Sequence, residues 1–279
     1  PSSVKTIEYD AFGSTAIENI DLSYVTDLGD LAFAGCNQLK SVQLSDQLTE
    51  IKRRTFINCS SLTDINIPDS VTSIGEGAFM NCDYLPSVDL PDGITSIGDR
   101  AFAGCIRMKE IHMPANLTEL GEWAFTECGF LTEIEIPEQV TVLKEAVFQN
   151  CYDLGNISLP KGLKTVEAYA FANCRSLTRV YYGGLCAEWD AVEINGTSNS
   201  ELENALIYCA DGYYGVDIPD RQPGTIDMVF FHTTVNPESE ALPLYSSPTV
   251  KIYPSGSWFT DNSDLIRGRT GEEYLHVAV

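Results

Sequence analysis

Apolar residues recur along this chain with a period of 23 residues. Seven phenylalanines stand at this spacing from Phe33 to Phe171, and a cysteine follows each three positions later, from Cys36 to Cys174. Apolar rows lie six and eight positions after the cysteines, an alternation typical of a strand with one buried face. A proline ends this predicted strand in five units, at Pro68, Pro91, Pro114, Pro137 and Pro160.

The recurring Ala-Phe-x-x-Cys segment predicts a short helical turn in each unit. Its Ala and Cys are four positions apart and its Phe and Cys three apart, which places them on one face of a helix. Each unit is then a strand, a bend, a second short extended piece and a helical turn. One unit cannot bury its apolar side alone but stacked units can, so the sequence predicts an α/β solenoid.

These repeats resemble the BspA-like leucine-rich repeats of bacterial surface proteins. Residues 61–68 (SLTDINIP) and 74–79 (IGEGAF) are close to that consensus, and residues 180–184, 188–192 and 205–208 look like the segment that closes such arrays. The resemblance covers roughly residues 1–210. It implies a right-handed leucine-rich repeat solenoid in a secreted or cell-surface protein, and some members of the family are adhesins for host matrix proteins or other cells.

The two ends of the array depart from the repeat. Phe12 precedes Phe33 by 21 residues, and Thr15 stands where a cysteine is expected, so we predict a degenerate first coil, with a truncated array as the alternative. The predicted domains are a solenoid with its closing segment over 1–210, a linker over 211–224 and a small all-β module over 225–279. Residues 235–248 faintly resemble the first strand and loop of bacterial SH3-like domains, which often bind cell-wall peptides. Because the chain stops on an apolar stretch, we leave open that this module is incomplete.

Charge and hydropathy exclude several classes of partner. Lysine and arginine number 17 against 40 acidic residues, a net charge of −23 that repels nucleic acids and anionic lipid surfaces. No run of 18 apolar residues is present, so we expect no membrane insertion. We expect a monomer.

The cysteines predict neither a disulfide framework nor a metal site. Seven of the nine share one place in consecutive units, so we expect an internal column of reduced, buried thiols. The paired Cys-x-x-Cys spacings of zinc sites are absent. Cys186 and Cys209 lie outside the column, and a bridge between them is left open. We expect no metal and no cofactor.

No catalytic residues are predicted. His112 faces outward between Asp89 and Glu135 of the neighbouring units, and no nucleophile row adjoins it. Acidic residues are plentiful, but a strand face is an open surface rather than the cleft that a glycosidase requires. We therefore expect a protein that is not an enzyme.

The outward positions of the predicted strands form the candidate binding face. They vary from unit to unit, which fits a ligand-reading surface and fits unselected solvent positions equally well. The candidate ligand-binding residues on this face are Asn66, Asp89, Glu110, His112, Glu133, Glu135 and Tyr181. The predicted function is non-enzymatic, adhesin-like binding of a host matrix or cell-surface protein or glycan. The alternative is a structural spacer that presents a C-terminal cell-wall-binding module.

Overall fold

The chain winds as a stack of coils in which each coil contributes two short strands. The computed structural model describes residues 2–214 and the backbones of two further strands near the C-terminus. In chain order the strands are Thr6–Ile7 (β1), Asn19–Asp21 (β2), Asp27–Leu28 (β3), Ser41–Gln43 (β4), Glu50–Ile51 (β5), Asp64–Asn66 (β6), Ser73–Ile74 (β7), Ser87–Asp89 (β8), Ser96–Ile97 (β9), Glu110–His112 (β10), Glu119–Leu120 (β11), Glu133–Glu135 (β12), Val142–Leu143 (β13), Asn156–Leu159 (β14), Thr165–Val166 (β15), Arg179–Tyr182 (β16), Glu193–Ile194 (β17), Leu206–Cys209 (β18), Gly212–Tyr213 (β19), Leu265–Arg267 (β20) and Glu273–Leu275 (β21). Two four-residue helices, Cys186–Trp189 (α1) and Ser200–Glu203 (α2), lie in the closing segment.

The even-numbered strands β2 to β18 pair in parallel along one side of the stack. Residues one repeat apart are partners, as in Val42 with Ile65, so the predicted strand of each unit is confirmed. Hydrogen bonds divide this side into three sheets, β2-β4-β6, β8-β10 and β12-β14-β16-β18. Pro86 explains the first break: it occupies the position at which Thr63 donates its N–H to Lys40 O in the coil before, and it has no N–H to donate.

The odd-numbered strands β1 to β17 form a second parallel side. They pair as β1-β3, β5-β7-β9-β11 and β13-β15-β17. Each is two residues long, and its second residue, such as Ile51 or Ile74, points into the core. The predicted second extended piece is therefore present in the coils.

The third side of the stack is built from turns, and the predicted helical turn is wrong. The residues two before and two after each phenylalanine have positive φ, as at Arg54 (56°) and Asn58 (59°), and such residues do not continue a right-handed helix. Successive backbone N–H groups in these turns donate alternately within their own coil and to the next coil. Ile57 donates to Arg54 O of its own coil at 3.2 Å, whereas Phe56 donates to Ala78 O of the next coil at 2.9 Å. A helix would satisfy these donors internally, but the turns use half of them to join neighbouring coils.

The core is a column of stacked phenylalanine rings. Neighbouring ring centroids from Phe12 to Phe171 lie 5.2 to 5.8 Å apart, and the rings are within 26° of parallel. Phe12 belongs to this column, at 5.2 Å and 3° from Phe33, so the irregular first unit packs like the others.

A column of buried, unbridged thiols runs beside the rings. Each thiol donates to the carbonyl of the phenylalanine in the preceding coil, as Cys105 Sγ does to Phe79 O at 3.2 Å. In the first coil the hydroxyl of Thr15 donates instead to Phe12 O of its own coil, at 2.8 Å. Burial raises the pKa of Cys59 and Cys174 to about 12. The column thiols thus fill the core and also act as hydrogen-bond donors to a row of backbone carbonyl groups.

The closing segment supplies a hydrogen-bond acceptor that a following coil would otherwise supply. The buried Asn199 accepts the N–H of Phe171 at 3.0 Å, a donor that other coils direct to a carbonyl of the next coil. Its amide group donates to Glu167 O at 2.8 Å and to Asn195 O at 2.6 Å. A side chain thus replaces a backbone group at the open end of the solenoid.

Beyond the solenoid the structure describes little of the chain. β19 pairs with β18 in an antiparallel hairpin, so the sheet continues to Tyr213, inside the predicted linker. β20 and β21 form an antiparallel pair. Apart from these, the linker from 215 onwards and the SH3-like module over 225–279 lie outside the described residues. No helix among the described residues is long and apolar enough to cross a bilayer.

Candidate functional site

The strand face consists of the outward residues of the even-numbered strands. In β6, β8, β10 and β12 the middle residue is buried and both neighbours are exposed, because successive side chains of a strand point to opposite faces. Six of the seven candidate residues are exposed and Tyr181 is half-buried. Whether they bind a ligand remains a prediction.

The structure distributes the candidate residues over the three sheets of this face. Asp89 and His112 are direct partners on β8 and β10, and their Oδ1 and Nδ1 atoms lie 3.5 Å apart. Their side chains are 94% and 80% exposed, so this pair contributes little to stability. Asn66 lies in the sheet before them, and Glu133, Glu135 and Tyr181 lie in the sheet after them.

The middle of the strand face carries acidic side chains that no cation neutralises. Within residues 2–214, Glu110, Glu133 and Glu135 form no ion pair, whereas other acids such as Glu76 and Glu18 do. The charge of these carboxylates is therefore directed at solvent. Such a surface attracts cationic groups of a partner.

Three tyrosines extend the strand face at its C-terminal end. Tyr181 and Tyr208 have ring centroids 5.1 Å apart, and Tyr208 and Tyr213 are 5.0 Å apart. Behind them Trp189 packs edge-on against the buried Tyr182 at 5.1 Å. Tyr182 and Trp189 thus close the core, and Tyr181 belongs to the surface.

An exposed apolar row borders the strand face and was missed by the sequence analysis. It occupies the segment between the turn side and the strand in four consecutive coils, and its side chains are 45 to 48% exposed: Tyr84, Ile106, Phe130 and Tyr152. The Arg107 guanidinium lies over the Tyr84 ring at 4.0 Å. The sequence contains a signal for this row, because other coils have a polar residue at this place, such as Asn37 or Ser60. The row does not keep the 23-residue spacing, however, because its residue follows the cysteine by one position in some coils and by two in others.

The described residues show no arrangement suited to nucleophilic catalysis. Burial raises the pKa of Cys82, Cys105 and Cys128, which keeps these thiols protonated. Two shallow depressions open to solvent, one on the strand face near Asn19 and Gln43, the other on the turn side near Asn58 and Asp83. Neither depression is lined by a thiol or a histidine.

One group of metal-ligating side chains lies away from the strand face. The Sγ atoms of Cys186 and Cys209 and a carboxylate oxygen of Asp211 are all within 4.8 Å of one another. The sequence analysis expected no metal, because paired Cys-x-x-Cys spacings are absent, and left open a bridge between Cys186 and Cys209. The fold brings them together at the closing segment.

Comparisons with known proteins place the repeats in a described family. A family model described as BspA type Leucine rich repeat region matches in six copies, over residues 1–86 and 72–192. A comparison with curated proteins found no match.

Several solved structures are similar to this chain. A leucine-rich repeat protein of T. pallidum is 26% identical, with a TM-score of 0.46 over 63% of this chain and 75% of that one. A leucine rich cell surface protein of Faecalibacterium prausnitzii is 22% identical, with a TM-score of 0.36 over 68% and 86%. The pneumococcal vaccine antigen PcpA is 19% identical, with a TM-score of 0.39 over 74% and 65%.

Proposed function

The chain belongs to the BspA-type leucine-rich repeat family, and from this premise we propose that it is a non-enzymatic interaction protein, secreted or held at a bacterial cell surface. Its partner is a host matrix or cell-surface protein or glycan. Recognition takes place on the strand face together with the apolar row that borders it. This is an adhesin-like role.

The observation that carries this proposal is the apolar row itself. Exposed apolar side chains that form a contiguous patch mark interaction sites more often than scattered ones do. Ile106 and Tyr152 approach each other over Gly129, where an added Cβ would lie 4.0 and 3.6 Å from them. The two side chains therefore flank the same position of the coil between them.

The neighbouring acids suit a partner with basic groups at the rim of its contact surface. Apolar contacts supply affinity, and complementary charge steers and orients the encounter. Glu110, Glu133 and Glu135 form no ion pair within residues 2–214 and belong to the same coils as Ile106 and Phe130 of the apolar row. We therefore expect a partner that combines apolar and cationic groups.

Binding of the full chain to immobilised matrix proteins, glycans and cell-wall fragments tests this function. The test variant carries Asp89→Lys, Glu110→Lys and Glu135→Lys on the strand face. A control with Asp46→Lys, Asp69→Lys and Glu138→Lys makes the same change in net charge at exposed positions in the bends. We expect at least tenfold weaker binding by the test variant only, about 1.4 kcal/mol or more.

A second pair of variants separates apolar from charged recognition. Tyr84→Ser with Phe130→Ser removes half of the apolar row, and Tyr9→Ser with Tyr24→Ser removes exposed rings outside it. The proposal is wrong if a partner binds all four variants equally. If that binding also disappears on removal of residues 215–279, the solenoid acts as a spacer.

A further inference from the structure

Two cysteines and one carboxylate converge where the start of α1 meets the β18–β19 hairpin. We propose that Cys186, Cys209 and Asp211 form a binding site for a divalent metal ion that prefers thiolate ligands, with Zn²⁺ as its occupant. The ligand atoms are the two Sγ atoms and one carboxylate oxygen, all within 4.8 Å of one another. A water molecule is the expected fourth ligand, because Asp211 is exposed.

The fold holds the three residues in place before any ion binds. Cys186 is the first residue of α1, Cys209 is the last residue of β18, and Asp211 lies in the turn between β18 and β19. Asp211 Oδ1 accepts the N–H of Cys186 at 2.8 Å, and Ala210 donates its N–H to Gly184 O at 2.8 Å. These two hydrogen bonds fix the hairpin turn against the start of the helix.

The spacing suits tetrahedral zinc. Bonds of about 2.3 Å to sulfur and about 2.1 Å to oxygen place two ligands of one ion about 3.6 to 3.8 Å apart. The separations here reach at most 4.8 Å, and rotation about side-chain bonds covers the difference of about 1 Å. Two thiolates and a carboxylate are a ligand set that zinc accepts.

The local charge favours a cation at this position. Asp190 and Asp211 both act electrostatically on the two thiols. Lys161, at the same end of the molecule, is engaged with Glu188 Oε1 at 3.1 Å. A bound dication would offset the carboxylates and thiolates gathered there.

These two cysteines differ from the seven in the column. Each column thiol donates to a phenylalanine carbonyl inside the core, as Cys174 does to Phe148 O at 3.0 Å. Cys186 is only partly buried, and among the described residues its cluster is the one group of three metal-ligating side chains. Metal binding would tie α1 to the β18–β19 hairpin and hold the end of the solenoid closed.

Zinc and cobalt titrations of the full 279-residue chain, kept reduced and free of metal, test the proposal. We expect one Zn²⁺ per chain in competition with a chelator, and a rise in Tm on binding. Co²⁺ should give the near-ultraviolet thiolate charge-transfer band and the visible bands of tetrahedral cobalt.

Single-residue variants assign the ligands. Cys186→Ser and Cys209→Ser should abolish the thiolate band, Asp211→Asn should raise the zinc dissociation constant about tenfold or more, and Cys174→Ser should change neither. Cys186→Ser decides the question if Cys209→Ser does not fold, because Cys186 is less buried.

Two results would overturn the site. One is reduced protein that binds neither ion; in that case a Cys186–Cys209 disulfide in the air-oxidised chain would explain the convergence. The other is zinc binding that persists in Cys186→Ser.

Discussion

At the scale of single residues, the column cysteines combine two properties that the sequence pattern shows only in part. The 23-residue spacing predicts a buried column, and the structure bears this out. The hydrogen bond from each thiol to a phenylalanine carbonyl could not be predicted, because its acceptor is backbone in another coil. Thr15, at the cysteine position of the first coil, donates its hydroxyl to Phe12 O of its own coil, which also accepts the thiol of Cys36.

Stability should fall at alkaline pH because of these thiols. In the unfolded chain a thiol has a pKa of about 8.5, whereas burial raises the pKa of Cys59 to about 12 in the folded protein. The folded state therefore keeps a proton that the unfolded state loses. Between pH 8.5 and 12, each such thiol should lower the free energy of unfolding by up to about 1.4 kcal/mol per pH unit.

Denaturant unfolding at about pH 7.5 and pH 9.5 measures this effect. Cys59→Ser keeps a donor for Phe33 O but removes the titrating group, so its stability should depend less on pH. Thr15→Ser is the control and should keep the wild-type pH dependence. Equal pH dependence of Cys59→Ser and wild type would show that burial of the thiol is not the cause.

At the scale of elements, strands were predictable from the sequence and turns were not. Alternation such as Ile65 and Ile67 has one structural meaning, a strand with a buried face. The spacing of Phe and Cys is ambiguous, because a helical turn and two successive turns bury the same residues. Positive φ at Arg54 and Trp123 gives no sequence signal, since neither residue favours that region; only glycines such as Gly77 and asparagines such as Asn58 do.

The candidate site also has parts that the sequence predicts and parts that it does not. The columns of the strand face follow from the repeat, because residues 23 apart become direct partners, as Asp89 and His112 do. The apolar row is offset by one position between coils, so no single register reveals it. The Cys186–Asp211 contact joins two irregular loops whose approach no periodicity encodes.

The Asn199 side chain accepts the N–H of Phe171 in place of a backbone carbonyl. Removing this side chain should destabilise the C-terminal coil. Asn199→Ala leaves the N–H of Phe171 without its acceptor in a buried site and removes the side-chain donor from Glu167 O and Asn195 O. We expect a loss of about 1 to 3 kcal/mol in the free energy of unfolding. Asn204→Ala, at an exposed position in the same segment, should cost less than about 0.5 kcal/mol.

Thermal and denaturant unfolding of these two variants give the comparison directly. Asn199→Asp keeps the acceptor for Phe171 but places a buried carboxylate oxygen against the two carbonyl oxygens, so it should be at least as destabilised at neutral pH as Asn199→Ala. If Asn199→Ala were as stable as Asn204→Ala, the segment would close the solenoid by apolar packing alone.

At the scale of the whole molecule, the sides of the solenoid have different roles. The turn side and the short strands join coils through backbone hydrogen bonds, and the phenylalanine and cysteine columns fill the interior. The strand face and apolar row are left free to meet a partner. Repeat proteins commonly use such an extended face for binding, and the net charge of −23 keeps the remaining surface soluble.

Hydroxyl-radical footprinting of the full chain, alone and with its partner from the binding screen, tests this division most directly, because it reports the solvent exposure of individual side chains. We predict that oxidation of Tyr84, Phe130 and Tyr152 falls severalfold in the complex. Tyr9 and Tyr169, which are 66% and 38% exposed and lie on the turn side, should react as before. Protection of Tyr9 and Tyr169 with unchanged oxidation of the apolar row would contradict binding through the strand face.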